Sequence, residues 1–156
     1  MWMVISDTHD NMENAKKFIE IAKERKVRVV FHCGDIIAPF IIPLFKDFKF
    51  YAVFGNNDGE WLYLREKAGD SIMKGPREIE VDGRRVAMMH EPFLLEAIAK
   101  SGVYDFVFYG HTHVIDIRKV GSTLIINPGE ACGYLSGKST AAVVNPLTKE
   151  CEIIEL

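Results

Sequence analysis

The stretch MWMVISDTHDNMENAKKFIEIAKERKVRVVFHCGD, residues 1–35, decides the predicted fold. Its first six residues are an apolar run rich in β-forming side chains, which predicts a buried strand. Residues 12–25 then follow a helical period, with either Asp10 or Asn11 as the N-cap. A second apolar run, residues 27–33, predicts another buried strand. Strand, helix and strand in this order are typical of a parallel sheet with a crossover helix.

The alternation continues to Gly55, and beyond it the chain changes character. A weak helix over 36–45, interrupted by two prolines, leads to a third strand over 50–54. Further on, Asp82-Gly83 separates two β-like runs and predicts a two-residue hairpin. We therefore expect one compact α/β domain with two sheets, spanning residues 1–156. The remaining predicted elements are helices over 61–68 and 92–100 and strands over 77–81, 84–89, 104–109, 114–120, 123–127, 140–145 and 151–154.

Composition restricts the range of functions. The formal net charge is −3 and the 19 Lys and Arg residues are spread along the chain, which argues against a surface for long nucleic acid. The three cysteines form no CxxC pair, so we expect neither a disulfide framework nor a structural zinc knuckle, and a cytoplasmic location. No segment approaches the roughly 20 apolar residues of a membrane span, so we expect a soluble protein.

Polar side chains recur where predicted strands end. In α/β sheets, ligands bind in the crevice beyond the carboxyl ends of the strands. Extended backbone alternates its side chains, so the i, i+2 spacing predicts that Asp7 and His9 project the same way. The same spacing relates His111 and His113. The strand-ending residues are Asp7 and His9, Asp35, Asn56 with Asn57 and Asp58, His90, and His111 with His113.

The chemistry of this set indicates metal binding. Imidazole, carboxylate and amide oxygen without thiolate disfavour a closed structural zinc site and suit Mn, Fe, Zn, Ni or Co. A carboxylate such as Asp35 can bridge two ions roughly 3.5–4 Å apart, the separation that two-metal hydrolases use. The residues therefore predict a centre with two metal ions.

The blocks SDTH (6–9), GD (34–35), GNND (55–58) and GHTH (110–113), with the strand-ending His90, resemble the calcineurin-like metallophosphoesterase superfamily. The likeness is greatest to its small, single-domain phosphodiesterase branch. It implies an αββα fold, in which two mixed β-sheets pack as a sandwich with helices on the outer faces. It also implies two divalent metal ions, which we expect to be Mn, with Ni, Zn, Fe or Co as alternatives.

The resemblance also assigns roles to residues. It implies that Asp35 bridges the two metals and that a hydroxide activated between them hydrolyses a small phosphodiester. Asn57 and His111 are expected to stabilise a phosphoryl oxygen. The implied ligands are Asp7, His9, Asp35 and His113 for the first metal, and Asp35, Asn56, His90 and His111 for the second.

Two positions depart from the pattern of the family. Asn57 stands where many members have a histidine that is thought to protonate the leaving group, and an amide cannot act as a general acid near neutral pH. Glu91-Pro92 follows His90 where many members have Gly-His. Protonation of the leaving group is therefore left open, and we expect substrates with good leaving groups to be favoured.

Two other functions compete with a phosphodiesterase. The first is a non-catalytic scaffold of the retromer-subunit type, which a degraded metal site would favour. The second is a phosphomonoesterase, which the short chain and Asn57 disfavour. Exposed apolar residues such as Trp61, Leu62 and Tyr63 could form a homo-oligomer surface or belong to the core.

Several other polar residues have simpler explanations. We expect Asp10 to be only a helix cap and His32 to be a core histidine with satisfied hydrogen bonds. Asp58 either supports a ligand or is an ordinary turn residue. Glu130 is expected to be solvated or a minor contributor. Substrate specificity is expected to come from the loops 59–75 and 131–138.

Overall fold

The computed structural model describes all residues from 1 to 156 and contains eleven strands, three α-helices and two short 3-10 helices. The strands are β1 (Trp2–Ile5), β2 (Val29–His32), β3 (Lys49–Val53), β4 (Ile72–Met73), β5 (Arg77–Val81), β6 (Arg84–Met88), β7 (Phe106–Phe108), β8 (Ile115–Val120), β9 (Thr123–Pro128), β10 (Thr140–Val144) and β11 (Cys151–Glu155). The helices are α1 (Met12–Glu24), α2 (Trp61–Ala68) and α3 (Leu95–Lys100), with 3-10 helices at Pro39–Phe45 and Gly69–Ser71. None of these helices has the length and apolar character needed to cross a membrane.

The strands form two mixed sheets, as predicted. In the first sheet the order is β11-β10-β1-β2-β3-β4. There β1 to β4 run parallel, β10 is antiparallel to β1, and β11 is antiparallel to β10. In the second sheet the order is β5-β6-β7-β9-β8. There β6, β7 and β9 are parallel and the edge strands are antiparallel to their neighbours. The Asp82-Gly83 hairpin joins β5 and β6 as expected.

Aromatic side chains fill the space between the two sheets. The Trp2 ring meets Phe31 edge-on at 5.3 Å and Phe106 at 5.2 Å between ring centroids. Phe31 also meets Phe108 edge-on at 5.0 Å. All four rings are fully buried, and the indole N–H of Trp2 donates to Asp82 over 2.9 Å. Because these rings come from strands of both sheets, their packing fixes the sheets face to face.

Helices cover the outer face of each sheet. α1 buries Ala15, Phe18, Ile19 and Ala22, the face that the sequence predicts, against the first sheet. α2 and the Pro39–Phe45 helix add to the same layer through residues such as Leu64 and Phe45. α3 packs on the second sheet, where Ala99 is buried. The order of layers is therefore helix, sheet, sheet, helix, which confirms the predicted fold class.

Local backbone chemistry explains where the helices differ from prediction. The helix expected over 92–100 begins only at Leu95, because Leu94 is in the left-handed region with φ of 50°. The segment expected to be helical over 36–45 forms a 3-10 helix, in which Pro43 has no N–H to donate. Asn11 is the N-cap of α1, and its side chain accepts from the Asn14 N–H.

Asp10 therefore does not have the predicted role of a helix cap. Its Oδ1 accepts from the backbone N–H of Ala38 over 3.0 Å, across to the loop that follows β2. Asp10 thus ties together the loops after β1 and β2, a contact between residues 28 positions apart.

The sequence does not predict β4. This strand has two residues, which are too few to show a strand period.

Removing the Phe31 ring tests the packing between the sheets. We expect Phe31→Ala to lower the free energy of unfolding by about 3–5 kcal/mol, because a cavity replaces a buried ring between the sheets. Urea unfolding followed by circular dichroism measures the change. The control is Phe40→Ala, whose side chain is 72% exposed and should change stability by less than about 0.5 kcal/mol. Equal stability of the two variants would contradict this account of the core.

Candidate metal centre

The loops that follow five parallel strands meet at one edge of the sandwich. β1, β2 and β3 contribute from the first sheet, and β6 and β7 contribute from the second. Parallel strands place their carboxyl ends at the same edge, which is why residues far apart in sequence come together here. The structure brings together all seven residues of the predicted ligand set, namely Asp7, His9, Asp35, Asn56, His90, His111 and His113.

One half of this cluster surrounds Asp7, which is fully buried. Its Oδ1 lies 3.3 Å from Nε2 of His113 and 3.9 Å from Nε2 of His9. Ligand atoms of these three residues all lie within 4.8 Å of one another. The Ser6 hydroxyl and the backbone N–H of His111 both donate to the other oxygen, Oδ2. Oδ1 is thus the oxygen that remains directed at the histidines.

Asp35 faces both halves of the cluster. Its Oδ2 lies 3.4 Å from Nε2 of His9, and its Oδ1 lies 3.5 Å from Nε2 of His90. On the second side, Oδ1 of Asn56 lies 2.8 Å from Nε2 of His90 and 2.9 Å from Nδ1 of His111. Each carboxylate oxygen of Asp35 therefore belongs to a different group of imidazoles. This is the arrangement expected of a bridging carboxylate.

The hydrogen bonds of two histidines show what the cluster lacks. Nδ1 of His113 lies 2.7 Å from the Glu130 carboxylate, and Nδ1 of His90 lies 2.8 Å from the carbonyl oxygen of Cys33. Both partners accept hydrogen bonds, so Nδ1 carries the proton in each ring. In the neutral imidazoles the lone pair on Nε2 then points at Asp7 in one case and Asp35 in the other. Two acceptors face each other at both places.

Two buried atoms of the cluster have no hydrogen-bond partner at all. These atoms are Oδ1 of Asp7 and Nε2 of His9. An unpaired buried polar atom costs about 1–3 kcal/mol, so such atoms need an explanation. Imidazole nitrogens and carboxylate oxygens that converge without a donor between them fit divalent cations well. The residues present therefore suit the metal ions that the sequence predicts.

Burial shifts the protonation of several groups near the cluster. It raises the pKa of Asp7, and the Ser6 hydrogen bond acts to lower it. Burial, together with the nearby His90, lowers the pKa of His32 to about 3. His32 is therefore neutral, and it is the core histidine with satisfied hydrogen bonds that the sequence predicts, with Thr8 and the Gly34 N–H as partners.

Five of the predicted ligands have backbone with positive φ, which overturns the prediction of extended backbone for the two i, i+2 pairs among them. Residues other than glycine rarely adopt positive φ, a conformation that is strained and tends to occur at functional sites. The expected i, i+2 alternation of extended backbone is wrong here, because neither Asp7 and His9 nor His111 and His113 are extended. Left-handed turns direct these side chains into the centre instead. The residues with positive φ are Asp7 (54°), His9 (41°), Asp35 (56°), His111 (67°) and His113 (58°).

Asn57 lies beside the bridging carboxylate. Its backbone N–H donates to Oδ1 of Asp35 over 2.9 Å, and its side-chain amide donates to Oδ2 over 2.7 Å. Both Asn57 and His111 are exposed to solvent, within reach of an incoming molecule. Their expected contact with a phosphoryl oxygen stays a prediction.

Glu130 is the residue whose role differs most from the prediction. The sequence predicts a solvated residue or a minor contributor, yet Glu130 is fully buried. Its carboxylate accepts from Nδ1 of His113, the thiol of Cys132 and the backbone N–H groups of Leu135 and Ser136. Burial alone would raise its pKa, but hydrogen bonds from Ser136, His113 and Cys132 lower it to about 2. Glu130 is therefore an ionised acceptor that orients the His113 ring.

The sequence did contain a signal for Glu130. Asn127-Pro128-Gly129 is a turn sequence directly before Glu130, and the side-chain amide of Asn127 donates to the carbonyl oxygen of Gly110 over 2.9 Å. That bond fixes the turn beside the loop that carries His111 and His113. The residue that follows the turn is thereby directed inward.

Asp58 also supports a predicted ligand. It is 3% exposed and accepts from three backbone N–H groups: Asp35 at 3.1 Å, Ile37 at 2.7 Å and Gly55 at 2.7 Å. Of the two roles left open by the sequence, these bonds favour support of a ligand over an ordinary turn. Asp58 holds the Asp35 loop against the loop after β3.

A fold of this kind with this cluster defines a class of protein. The model of the calcineurin-like phosphoesterase superfamily domain matches residues 1–149. The chain belongs to the calcineurin-like phosphoesterase superfamily. It is 39% identical to the phosphodiesterase MJ0936 of Methanocaldococcus jannaschii, and the match covers 98% of this chain and 97% of that protein.

Solved structures show the same architecture. The structure of an archaeal phosphodiesterase matches with a TM-score of 0.91 and 39% identity over 99% of both chains. Yfce, a phosphoesterase from E. coli, matches with a TM-score of 0.63 and 18% identity over 98% of this chain and 97% of its own. Vps29 from Entamoeba histolytica, complexed with zinc, matches with a TM-score of 0.68 and 17% identity over 99% and 98%. The last two comparisons concern the fold alone.

The orientation of His113 by Glu130 can be tested by metal binding. We expect Glu130→Gln to weaken the binding of Mn²⁺ about 10–100-fold, the usual cost of losing a carboxylate that orients a ligating histidine. Titration calorimetry on metal-free protein measures the affinity. Ser136→Ala serves as the control, because it removes a donor to Glu130 without touching His113. Similar affinities in both variants would contradict the role given to Glu130.

Proposed function

We propose that this protein is a metal-dependent phosphodiesterase that converts a phosphodiester and water into a phosphomonoester and an alcohol. The observation that carries the proposal is the position of Asp35, whose two oxygens face two separate groups of imidazoles. The 39% identity to a phosphodiesterase over nearly the whole chain supports the same reaction. Membership of the phosphoesterase superfamily agrees with both.

Two groups of side chains would hold the metal ions. We assign the first ion to Asp7, His9, Asp35 and His113, and the second ion to Asp35, Asn56, His90 and His111. Divalent ions in such a pair supply Lewis acidity, which lowers the pKa of water and neutralises the charge of a phosphoryl group. The superfamily implies divalent metals, and we propose Mn²⁺, with Ni, Zn, Fe or Co as alternatives that the same donor set accepts.

The chain itself contributes positioning and charge stabilisation. During hydrolysis the bond between phosphorus and the water oxygen forms while the bond between phosphorus and the departing ester oxygen breaks. Asn57 and His111 are exposed polar residues of the cluster, and we propose that they stabilise a phosphoryl oxygen. Glu91 and Pro92 follow His90 here, so this segment lacks the histidine that many members of the family have after the strand-ending ligand. The departing oxygen therefore takes its proton from solvent, which favours good leaving groups.

The two competing functions have less support. A non-catalytic scaffold needs no complete ligand set, whereas all seven side chains converge here and leave two buried polar atoms without partners. The similarity to Vps29 concerns the fold alone. A phosphomonoesterase is disfavoured by the short chain and by Asn57, which stands where many family members have a histidine. We therefore place both behind a phosphodiesterase.

Location and assembly belong to the same proposal. We propose a cytoplasmic enzyme that forms one catalytic domain over residues 1–156 and acts on a small phosphodiester, without a long nucleic acid or a membrane as partner. The three free cysteines suit a reducing compartment. Leu62 and Tyr63, which are 85% and 59% exposed, are the candidates for a contact between copies of the chain.

Metal removal and replacement of Asp35 test the proposed function together. We expect chelated protein to lose turnover of bis(nitrophenyl) phosphate and to regain it with added Mn²⁺. Asp35→Asn should lower metal-dependent turnover more than about 100-fold, because losing even an outer partner of a ligand costs about 10–100-fold. The control is Asp70→Asn, at a side chain that is 95% exposed. Full metal-dependent activity of Asp35→Asn would refute the bridging role.

Replacement of Asn57 tests how the leaving group departs. We expect Asn57→His to raise kcat for diesters with poor alkyl leaving groups by up to about 100-fold, because an imidazolium can donate the proton that an amide cannot. Turnover of nitrophenyl esters should change little, since nitrophenolate needs no proton. Steady-state kinetics on both substrates, with bound metal measured in parallel, decide the matter. Unchanged alkyl turnover in fully metallated protein would count against this explanation.

A further inference from the structure

A cavity of about 370 Å³ opens beside the proposed metal centre. Two of the proposed metal ligands, Asn56 and His90, form part of its wall. A second cavity of about 280 Å³ lies near Pro43 and Phe48 and shares no residue with the centre. The first cavity falls in the size range of small-molecule sites, which is about 300–1,000 Å³. A group inside it would sit next to a phosphoryl group held at the centre.

Aromatic rings from segments that follow strands of both sheets line this cavity. Trp61, the first residue of α2, stacks on Phe54 with ring centroids 4.8 Å apart and planes at 14°. Phe93 comes from the loop after β6. Trp61 is 45% exposed and Phe93 is 58% exposed, so core packing does not account for either ring. Flat exposed rings of this kind bind flat aromatic groups by stacking.

The charged residues of the cavity are balanced. Lys74 and Glu91 both line the wall, and neither side chain forms an ion pair or a side-chain hydrogen bond with the rest of the chain. One positive and one negative charge leave the cavity without net charge, which does not suit a second phosphate. The free carboxylate of Glu91 can accept hydrogen bonds from N–H or O–H groups, and the Lys74 ammonium can donate to carbonyl or ring-nitrogen acceptors.

We propose that this cavity binds one organic ester group of the phosphodiester, and that this group is flat, aromatic and uncharged. A nucleoside and an aryl alcohol both have this chemistry. The inference rests on the proposed function, because it takes the phosphate to lie at the metal centre. Trp61 and Phe93 then determine specificity by stacking, while the metal ligands carry the reaction. Of the two loops expected to set specificity, only the one over 59–75 contributes to this cavity, through Trp61, Lys74 and Gly75.

Steady-state kinetics with two esters that share a leaving group test the proposal. The substrates are bis(nitrophenyl) phosphate and the nitrophenyl ester of thymidine monophosphate. We expect Trp61→Ala and Phe93→Ala to raise KM about tenfold and to leave kcat near the wild-type value, as loss of one stacking contact predicts. Trp61→Phe keeps a ring and should retain the wild-type KM. A lower KM for the thymidine ester, with a larger penalty in Trp61→Ala, identifies a nucleoside, and the opposite order identifies an aryl group.

The matched control is Leu62→Ala, next to Trp61 on the same helix. Leu62 is 85% exposed and does not line the cavity, so KM should not change. Wild-type KM in both Trp61→Ala and Phe93→Ala would overturn the proposal while leaving the phosphodiesterase assignment intact. Equal increases of KM in Leu62→Ala and Trp61→Ala would overturn it as well.

Tryptophan fluorescence provides a readout that does not depend on turnover. The chain has two tryptophans, and Trp2 is fully buried, so quenching by an added molecule reports on Trp61. We expect adenosine monophosphate to quench the emission, and ribose phosphate and inorganic phosphate to leave it unchanged. Equal quenching by ribose phosphate would overturn the aromatic assignment. If the wild type hydrolyses no diester with any metal, the proposed function fails, whereas selective quenching still supports the cavity.

Discussion

The rest of this structure depends on a group of buried acceptor atoms that face one another without a hydrogen-bond donor between them. Nδ1 of His90 and Nδ1 of His113 are hydrogen-bonded to the acceptors Cys33 O and Glu130, so in the neutral rings the opposite nitrogens present lone pairs to carboxylates. Oδ1 of Asp7 has no partner at all. Such atoms repel each other in a protein interior, where water cannot screen them. A divalent cation converts this repulsion into attraction, which makes the arrangement intelligible.

The surrounding fold opposes that repulsion in two ways. The first is a rigid frame, because the rings packed between the two sheets hold the ends of β1, β2, β6 and β7 at one edge. The second is a set of anchors that are not themselves ligands. Asp58 accepts three backbone N–H groups around Asp35, and Asn127 fixes the loop after β7. Left-handed backbone at residues such as His9 and His113 costs about 1–3 kcal/mol each and persists only where such anchors determine it.

These features also explain what the sequence could and could not predict. The strands, the helix faces and the strand-ending ligands follow from local periodicity, so the two sheets and the converging side chains were within reach. The left-handed turns at Asp7 and His111 were not, because φ depends on hydrogen bonds to distant loops. Glu130 was misjudged for the same reason, since its partners are fixed only once the chain has folded. Gly55 and Gly110 are needed for close approach, because a Cβ at Gly55 would overlap the Asp35 carboxylate and one at Gly110 would overlap the Ser6 hydroxyl.

The same geometry separates reaction from recognition. The ligands lie at strand ends, where a change of position would disturb the sheets. Trp61 begins α2 directly after the loop that follows β3, and Phe93 lies in the loop after β6; both rings are exposed. Asn56 and His90 belong to both regions, so a group bound against the rings lies directly beside the phosphoryl group. Binding energy gained at the rings can therefore orient the ester for attack without any change in the ligand set. Loops of this kind can change the substrate of the fold while the buried acceptors, and with them the chemistry, stay the same.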